Sequence, residues 1–199
     1  MENKGWSLNL RTQMLRDTER ELYWSLAFGT SDSKNKIKKI TDKLGAMNDE
    51  NNKNETKKPV PLYEEGESLD ALKAVPSLGI DPETGKEVFV KKDGSLTTIW
   101  DYNDKVVCGT TDPKFRGTLN SFLTFKGISL NMSFNFQWGG QTYNQTLASR
   151  VEGVNPNSNC DRRVLYDRWK KPGDRTFFKN IALEENVSNL TTRFVQDYN

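Results

Sequence analysis

The chain has 199 residues, of which 34% are hydrophobic and 11% aromatic, and its formal net charge is +2. So small a net charge excludes the broad basic surface of a nucleic-acid-binding protein, and we expect no nucleic-acid partner. Because the sequence contains no histidine, histidine-based catalytic triads and HExxH zinc sites are also excluded. The sequence has no apolar run near 18 residues, so we predict no transmembrane helix.

Two neighbouring strands are predicted at the start of the chain, at residues 5–15 and 22–30. In both segments apolar and polar residues alternate, and a strand directs alternate side chains to opposite faces. The short polar segment 16–21 is predicted to form the turn that joins these two strands into an antiparallel pair.

The long interval 31–116 is predicted to be a surface loop that contains a small hairpin. Its first part, up to residue 59, is rich in Lys and Asn, and such polar sequences are typical of loops or disorder. Residues 68–75 are predicted to form one or two helical turns. Two short turn sequences further on predict a hairpin whose strands are residues 87–91 and 96–100.

The third and fourth predicted strands are residues 117–125 and 128–138. The dipeptide Lys126-Gly127 between them favours a two-residue hairpin turn. The fourth strand alternates over its whole length, which matches the roughly 9–11 residues that a tilted strand needs to cross a bilayer. A second long surface loop is predicted at residues 139–192, and a further strand begins at Arg193.

The fourth strand has two chemically different faces, and the environment of each face decides what kind of protein this is. A soluble sheet places its apolar face on a core, whereas an outer-membrane barrel places it against lipid and directs its polar face into an aqueous lumen. Short turns that alternate with very long loops favour the barrel. The predicted lipid-facing residues are Ile128, Leu130, Met132, Phe134, Phe136 and Trp138. The predicted lumen-facing residues are Ser129, Asn131, Ser133, Asn135 and Gln137.

Tryptophans at strand ends are predicted to mark the two edges of the apolar face. Trp6, Trp24 and Trp138 occupy such positions, and aromatic girdles flank the apolar band of outer-membrane barrels at both membrane interfaces. We therefore interpret these three side chains as interfacial residues rather than as ligand contacts.

The predicted loops contain aromatic residues that either pack the loops together or contact a substrate or partner protein. The candidates for such contacts are Trp100, Tyr102, Tyr143, Tyr166 and Trp169. The carboxylates lie in turns and loops without a catalytic pattern, so we predict no enzyme activity, no metal and no cofactor. Cys108 and Cys160 lack CxxC spacing, and a disulfide between them requires an oxidising compartment.

Six stretches resemble, in order, the C-terminal barrel region of the SusC/RagA family of TonB-linked outer-membrane transporters. The most specific is CGTTDPKFRGTLNSFLTFKGISLNMSFNFQWGGQTYN (residues 108–144). The others are ENKGW (2–6), YWSLAFGTSDSKNKIKKI (23–40), YEEGESLDAL with GIDPETGKEVFV (63–90), RWKKPGDRTFFKNI (168–181) and TTRFVQDYN (191–199). The family's plug domain and TonB box have no counterpart here, so we expect the chain to be a fragment of a longer protein.

The resemblance implies an all-β fold: a partial antiparallel transmembrane β-barrel, a meander of about five strands with long extracellular loops. It further implies import of an oligosaccharide or peptide substrate across the cell outer membrane. The implied partners are outer-membrane lipid, a SusD-like surface lipoprotein and the TonB complex, reached through the N-terminal part of the transporter.

A soluble β-sandwich that binds carbohydrate is the alternative hypothesis. It requires a second sheet of apolar strands to cover the apolar faces, and the chain has few strands with which to build one.

Overall fold

A computed structural model of the chain describes residues 1–53, 59–155, 157, 159–182 and 189–197. The strands in chain order are β1 (Glu2–Asp17), β2 (Leu22–Lys36), β3 (Ala71–Ala74), β4 (Ser77–Ile80), β5 (Glu87–Val90), β6 (Leu96–Thr97), β7 (Val106–Thr110), β8 (Phe115–Phe125), β9 (Ile128–Trp138), β10 (Gln141–Tyr143) and β11 (Val195–Asp197). The helices are α1 (Asp42–Lys53), a π-helix (Leu147–Glu152) and the 3₁₀ turns Tyr102–Asp104, Arg162–Leu165 and Thr192–Phe194. No helix in these ranges is long and apolar enough to cross a membrane.

The four long strands form one antiparallel sheet in the order β1-β2-β8-β9, which we call the meander. The predicted order is confirmed, and β2 pairs with β8 from Leu22–Phe125 to Ser31–Arg116 although a long segment separates them. β1 and β2 are longer than predicted because residues 31–36 continue the pairing with residues 2–7. Residues 31–36 are polar on both faces, so alternating hydrophobicity gave no sign that β2 continues through them.

Both short connections of the meander lie at the same end of the sheet. The predicted two-residue turn at Lys126-Gly127 is confirmed, and the structure adds that both residues have positive φ angles, 46° and 81°. In the other turn, Asp17 accepts backbone hydrogen bonds from Glu19 and Arg20 at 3.1 and 3.0 Å. One turn is therefore stabilised by residues with positive φ, and the other by the side chain of Asp17.

Two predictions for the first long segment are wrong. Residues 42–53, which we predicted to be loop, form helix α1, and residues 54–58 of the same prediction lie outside the described residues. Residues 71–74, predicted as part of a helical turn, form β3, because their backbone pairs with β7. The predicted hairpin is confirmed in β5 and β6, with β4 as an additional strand on its other side.

The strand predicted from Arg193 does not extend the meander. A 3₁₀ turn spans Thr192–Phe194, and β11 after it pairs with β10 rather than with β9. The physical reason is that Phe194 is fully buried among residues of the long connections. The described meander therefore has four strands and not five, and residues 198–199 of this prediction lie outside the described residues.

The hydrophobic core lies outside the meander, in a unit we call the loop body, made of the described residues in 59–114 and 139–197. Its buried residues come from both long segments: Leu72, Ala74, Tyr143, Ala148, Val151, Val154, Val164, Phe178, Leu190 and Phe194. A bridge between Val75 and Thr191 and a hydrogen bond from the Val75 amide to the Leu190 carbonyl (3.2 Å) join the two segments directly. The two predicted surface loops thus share one core.

Candidate functional site

One face of the meander is apolar across all four strands. Strand register places Leu10 beside Phe28, Phe28 beside Leu119, and Leu119 beside Phe134. The same face carries Trp6, Leu8, Leu15, Leu22, Trp24, Leu26, Phe115, Leu123, Phe125, Ile128, Leu130, Met132, Phe136 and Trp138. Within the described residues nothing covers this face, and Leu10 and Phe134 remain 58% and 56% exposed. So large an uncovered apolar surface marks a site of contact with another apolar phase.

The apolar face has the height of a membrane's hydrocarbon band. Ten residue steps separate Ile128 from Trp138 along β9. At about 3.3 Å per residue this is roughly 33 Å along the strand, or about 25 Å of vertical height at the tilt of about 40° usual in outer-membrane barrels. The apolar band of such barrels is also about 25 Å tall.

Aromatic rings concentrate at the end of this face from which the long segments leave. The rings of Phe115 and Trp138 stack with centroids 4.3 Å apart, and Phe136 stacks on both of them and on Phe28. Gly117 makes room for this cluster, because a Cβ there would lie 2.6 Å from Cζ of Phe136. The aromatic cluster therefore depends on a glycine at position 117 of the neighbouring strand.

The structure places the three tryptophans of the predicted girdle at both ends of the apolar face. Trp6 and Trp138 lie near the end from which the long segments leave, and Trp24 lies two register rows from the last pair before the short turns. The Trp24 indole N–H donates to Ser121 Oγ at 3.0 Å, so its polar edge is satisfied within the sheet. Their contact with a membrane interface remains a prediction.

The opposite face of the meander is polar. The predicted lumen-facing residues of β9 lie on it, beside Arg116, Thr118, Asn120, Phe122 and Thr124 of β8. Two shallow depressions of about 460 and 420 Å³ open on this face, the first near Phe122 and the second near Gly29. Small residues create this space, since Ala27 and Gly29 stand where the neighbouring strands carry longer side chains.

A buried ion-pair cluster holds the loop body together. Arg193 Nε and Nη2 donate to the two carboxylate oxygens of Glu87, both at 2.8 Å, and Nη2 also donates to Glu152 at 2.7 Å. The three side chains are 5%, 3% and 0% exposed. Burial acts to lower the pKa of Arg193, but the hydrogen bonds and charges of the two carboxylates outweigh it and raise the pKa above its ordinary value. The cluster ties the hairpin, the π-helix and the last 3₁₀ turn into one unit.

A second buried arginine binds backbone carbonyls instead of carboxylates. Arg168 donates to the carbonyls of Val164, Lys179 and Val151 at 2.9, 3.0 and 2.5 Å. Burial lowers the pKa of this guanidinium, and the charge of Glu152 partly offsets the effect. Sequence analysis missed Arg168, Arg193 and their acidic neighbours, because no local motif signals an ion pair between residues so distant in the chain.

Two of the five candidate contact aromatics are buried in the loop body. Trp169 donates its indole N–H to the Pro82 carbonyl at 2.8 Å and lies against Gly85, which has a φ of +69° and no room for a Cβ. Tyr143 donates to the Asn189 carbonyl at 3.3 Å and meets Phe194 edge to face. Burial of Tyr143, reinforced by the charge of Glu152, raises its pKa. These two rings pack the loop body.

The other three candidate aromatics are more accessible. Trp100 is half-buried and donates to the Leu190 carbonyl at 3.2 Å, and Tyr102 is half-buried in a 3₁₀ turn. Tyr166 is 57% exposed, with the guanidinium of Arg162 5.7 Å from its ring centroid. Of the five, Tyr166 is the ring that the described residues leave most open to a partner.

Cys108 and Cys160 are not joined by a disulfide in the described part of the chain, and they lie in different environments. Cys108 is half-buried, its Sγ lies 3.1 Å from the Leu72 carbonyl, and burial raises the pKa of the thiol. Cys160 is exposed, with its Sγ 3.4 Å from the Asn155 carbonyl. Within the described ranges, no group of three or more His, Cys, Asp or Glu residues is placed to hold a metal ion.

The chain is similar in sequence to a TonB-dependent receptor and in fold to two solved RagAB structures. No protein-family model matches the chain. The chain is 25% identical over 214 residues to TonB-dependent receptor P3 of Formosa agariphila, covering 99% of this chain and 20% of that receptor. The resemblance to TonB-linked transporters of the SusC/RagA type is confirmed. The named relatives are receptors and transporters rather than enzymes.

Two solved structures share the fold of the chain. They are the RagAB peptide importer in the "open-open" state, with a TM-score of 0.69, and the RagAB peptide transporter, with a TM-score of 0.72. Each is 16% identical to this chain and covers 98% of it. The chain spans about one fifth of the length of all three relatives, 20%, 20% and 21% respectively.

Proposed function

We propose that the meander is part of the barrel wall, and the loop body part of the outer surface, of a TonB-dependent nutrient importer in the cell outer membrane. The observation that carries this proposal is the uncovered apolar face of membrane height, backed by an equally uncovered polar face. Lipid on one side and water on the other satisfy both faces, as in outer-membrane barrels.

The distribution of the connections supports the same orientation. The two short turns lie at one end of the meander, and the two long segments leave from the other end, where Glu2 pairs with Lys36 and Phe115 with Trp138. Barrels of this class have short periplasmic turns and long extracellular loops. The loop body therefore faces the outside of the cell.

Barrel closure is part of the proposal. In the described residues β1 and β9 are the edges of the meander, and each has one side without a strand partner. An unpaired strand edge inside a bilayer is prohibitively costly, so further strands of a longer protein flank both edges.

The proposed partners follow from this placement. A SusD-like surface lipoprotein contacts the exposed loop body, with Tyr166 as one candidate contact, and the TonB complex engages the plug region of the longer protein. The transported nutrient is a glycan or a peptide. The RagAB structures are described as those of a peptide importer and a peptide transporter, which supports the peptide class.

The soluble β-sandwich alternative has weaker support. A sandwich needs a second sheet packed about 10 Å from the first. Among the described residues the other sheets have two or three short strands each, belong to the loop body, and leave the apolar face of the meander exposed.

Spin labels on β9 of the full-length protein in lipid bilayers test the proposed faces. Cys108 and Cys160 are replaced by Ser, and a nitroxide is attached to Met132→Cys or to its neighbour Asn131→Cys as the matched control. The label at position 132 should collide with dissolved oxygen and be shielded from a water-soluble nickel chelate, and the label at 131 should show the reverse. Shielding of position 132 from both reagents indicates a protein core and contradicts the proposal.

A further inference from the structure

Phe122 interrupts the alternation of the meander. It lies on the polar face, in one register row with Gln13, Ser25 and Asn131, and it is 46% exposed. Its ring stacks on no other aromatic ring among the described residues. The exposed part of this ring keeps apolar surface in contact with water, and a ligand that covers it would gain from removing that surface from water.

The ring borders the larger depression of the polar face, beside a cation and two amides. Arg11, Gln13, Asn120 and Phe122 line this depression, and the small side chain of Ala27 leaves its floor open. Asn120 Oδ1 already accepts a hydrogen bond from Ser133 Oγ at 2.6 Å, which fixes the amide and leaves its NH₂ group to donate. The depression thus combines the apolar ring of Phe122 with the hydrogen-bond donors of Arg11, Gln13 and Asn120.

The charge on this face has one sign. On the polar face, the rows between Ser7 and Arg16 extend across β2 and β8 to β9. The charged residues on that face of these rows are Arg11, Arg16 and Arg116, and none is acidic. Arg116 forms an ion pair with Asp112. Arg11 is exposed and has no ion-pair partner among the described residues. A free guanidinium beside an aqueous space attracts anions and binds carboxylates in bidentate fashion.

We infer that the depression at Arg11 and Phe122 is a binding site for a carboxylate-bearing solute on its way through the transporter. The guanidinium of Arg11 pairs with the carboxylate, the amides of Gln13 and Asn120 bind hydroxyl or amide groups, and the Phe122 ring packs on the solute's C–H face. The inference rests on the proposed function, because it assigns the polar face to the solute path. Acidic oligosaccharides and acidic peptides both offer this chemistry.

Calorimetric titration of the purified full-length transporter in detergent tests the inference. The probes are tetragalacturonate with its neutral methyl ester, and tetraglutamate with tetraglutamine, so that charge changes within each pair while the backbone chemistry is kept. At least one acidic probe should bind about tenfold more tightly than its neutral partner. The pair that shows the preference identifies the solute as an oligosaccharide or a peptide.

Variants test whether the preference for the acidic probe arises from Arg11 and Phe122. Arg11→Gln should abolish it, and Phe122→Ser should weaken the acidic and the neutral probe of the favoured pair alike, by several-fold. Arg16→Gln is the matched control, since it removes the same charge from the same face four register rows away, outside the depression. It should change affinity less than twofold. Each variant is checked for the heat-dependent gel mobility of a folded barrel.

Three results overturn the inference. They are the absence of a charge preference in the wild type, equal losses in Arg11→Gln and Arg16→Gln, and retention of the preference in Arg11→Gln. These outcomes are distinguishable from failure of the proposed function, because a protein that passes the spin-label test on β9 and still gives one of them is a barrel whose solute site lies elsewhere.

Discussion

Large apolar side chains have opposite surroundings in the two regions of this molecule. In the meander Leu10 and Phe134 are 58% and 56% exposed, whereas in the loop body Leu190 and Phe194 are 1% and 0% exposed. The loop body also buries the ion pairs of Arg193, whereas charged groups on the meander stay at its surface. The loop body therefore carries its own core, and the meander depends on an external phase to cover its apolar face.

The two regions differ in what stabilises them. Burial of apolar side chains stabilises the loop body in any aqueous solvent, because the apolar surface is removed from water by the chain itself. The meander gains the same stabilisation only after transfer into lipid or detergent. Substitutions in the two regions should therefore respond to different variables: packing and charge pairing in the loop body, and depth in the membrane in the meander.

The largest effect in the loop body is expected for Arg193→Ala. The substitution leaves the buried carboxylates of Glu87 and Glu152 without their cation, and breaking a buried pair on one side costs about 3–5 kcal/mol. Hydrogen exchange on the full-length protein should show this loss in the amides of the loop body and little change in β8 and β9. The exposed pair of Arg163 and Asp161 provides the control, since Arg163→Ala should leave exchange nearly unchanged. Equal effects of the two substitutions would show that the cluster does not hold the body together.

A smaller effect is expected for Gly117→Ala in the meander. The new Cβ would lie 2.6 Å from Phe136 Cζ and 2.7 Å from the Gly29 carbonyl oxygen, and overpacking of this kind costs about 1–3 kcal/mol. Unfolding of the full-length protein in detergent, followed by gel mobility, measures the loss. Gly45→Ala is the matched control, because nothing lies within 4 Å of its added Cβ and alanine favours helix α1. A neutral Gly117→Ala would mean that the aromatic cluster is loosely packed.

The smallest effect is a dependence of loop-body stability on alkaline pH. Burial, and then the charge of Glu152, raise the pKa of Tyr143 above its ordinary value of 10. Above pH 10 the phenol loses its proton in the unfolded chain but keeps it in the folded one, so stability falls by at most about 1.4 kcal/mol per pH unit. Hydrogen exchange measured from pH 9 to 11 should show a shallower decline for Tyr143→Phe than for the wild type. Parallel profiles would mean that Tyr143 ionises freely in the folded protein.

The sequence predicts the meander well because the information for it is local. Alternation at period two marks 22–30, 117–125 and 128–138, and Lys126-Gly127 supplies the turn, so strand order and faces follow from short stretches. The pattern fails at residues 31–36, where both faces are polar.

The loop body is predicted poorly because its contacts are distant in the chain. Glu87 and Arg193 are 106 residues apart, and neither lies in a motif that announces the other. Residues 71–74 form a strand only because β7 is present to pair with them, so their local helical preference is overridden. The candidate site at Arg11 and Phe122 is intermediate, since Phe122 is visible as a break in the alternation but its neighbours require the register.

Lysine substitutions along β9, measured by folding of the full-length protein into lipid bilayers, test most directly whether the apolar face meets lipid. Met132→Lys near the midplane should cost about 2–4 kcal/mol, and the same change at Ile128 or Trp138 near an edge about 0–1 kcal/mol. Asn131→Lys should be nearly neutral, because water already fills its side of the sheet. Equal costs at Met132 and Trp138, or a larger cost at Asn131 than at Met132, would contradict the placement of this sheet in a barrel wall.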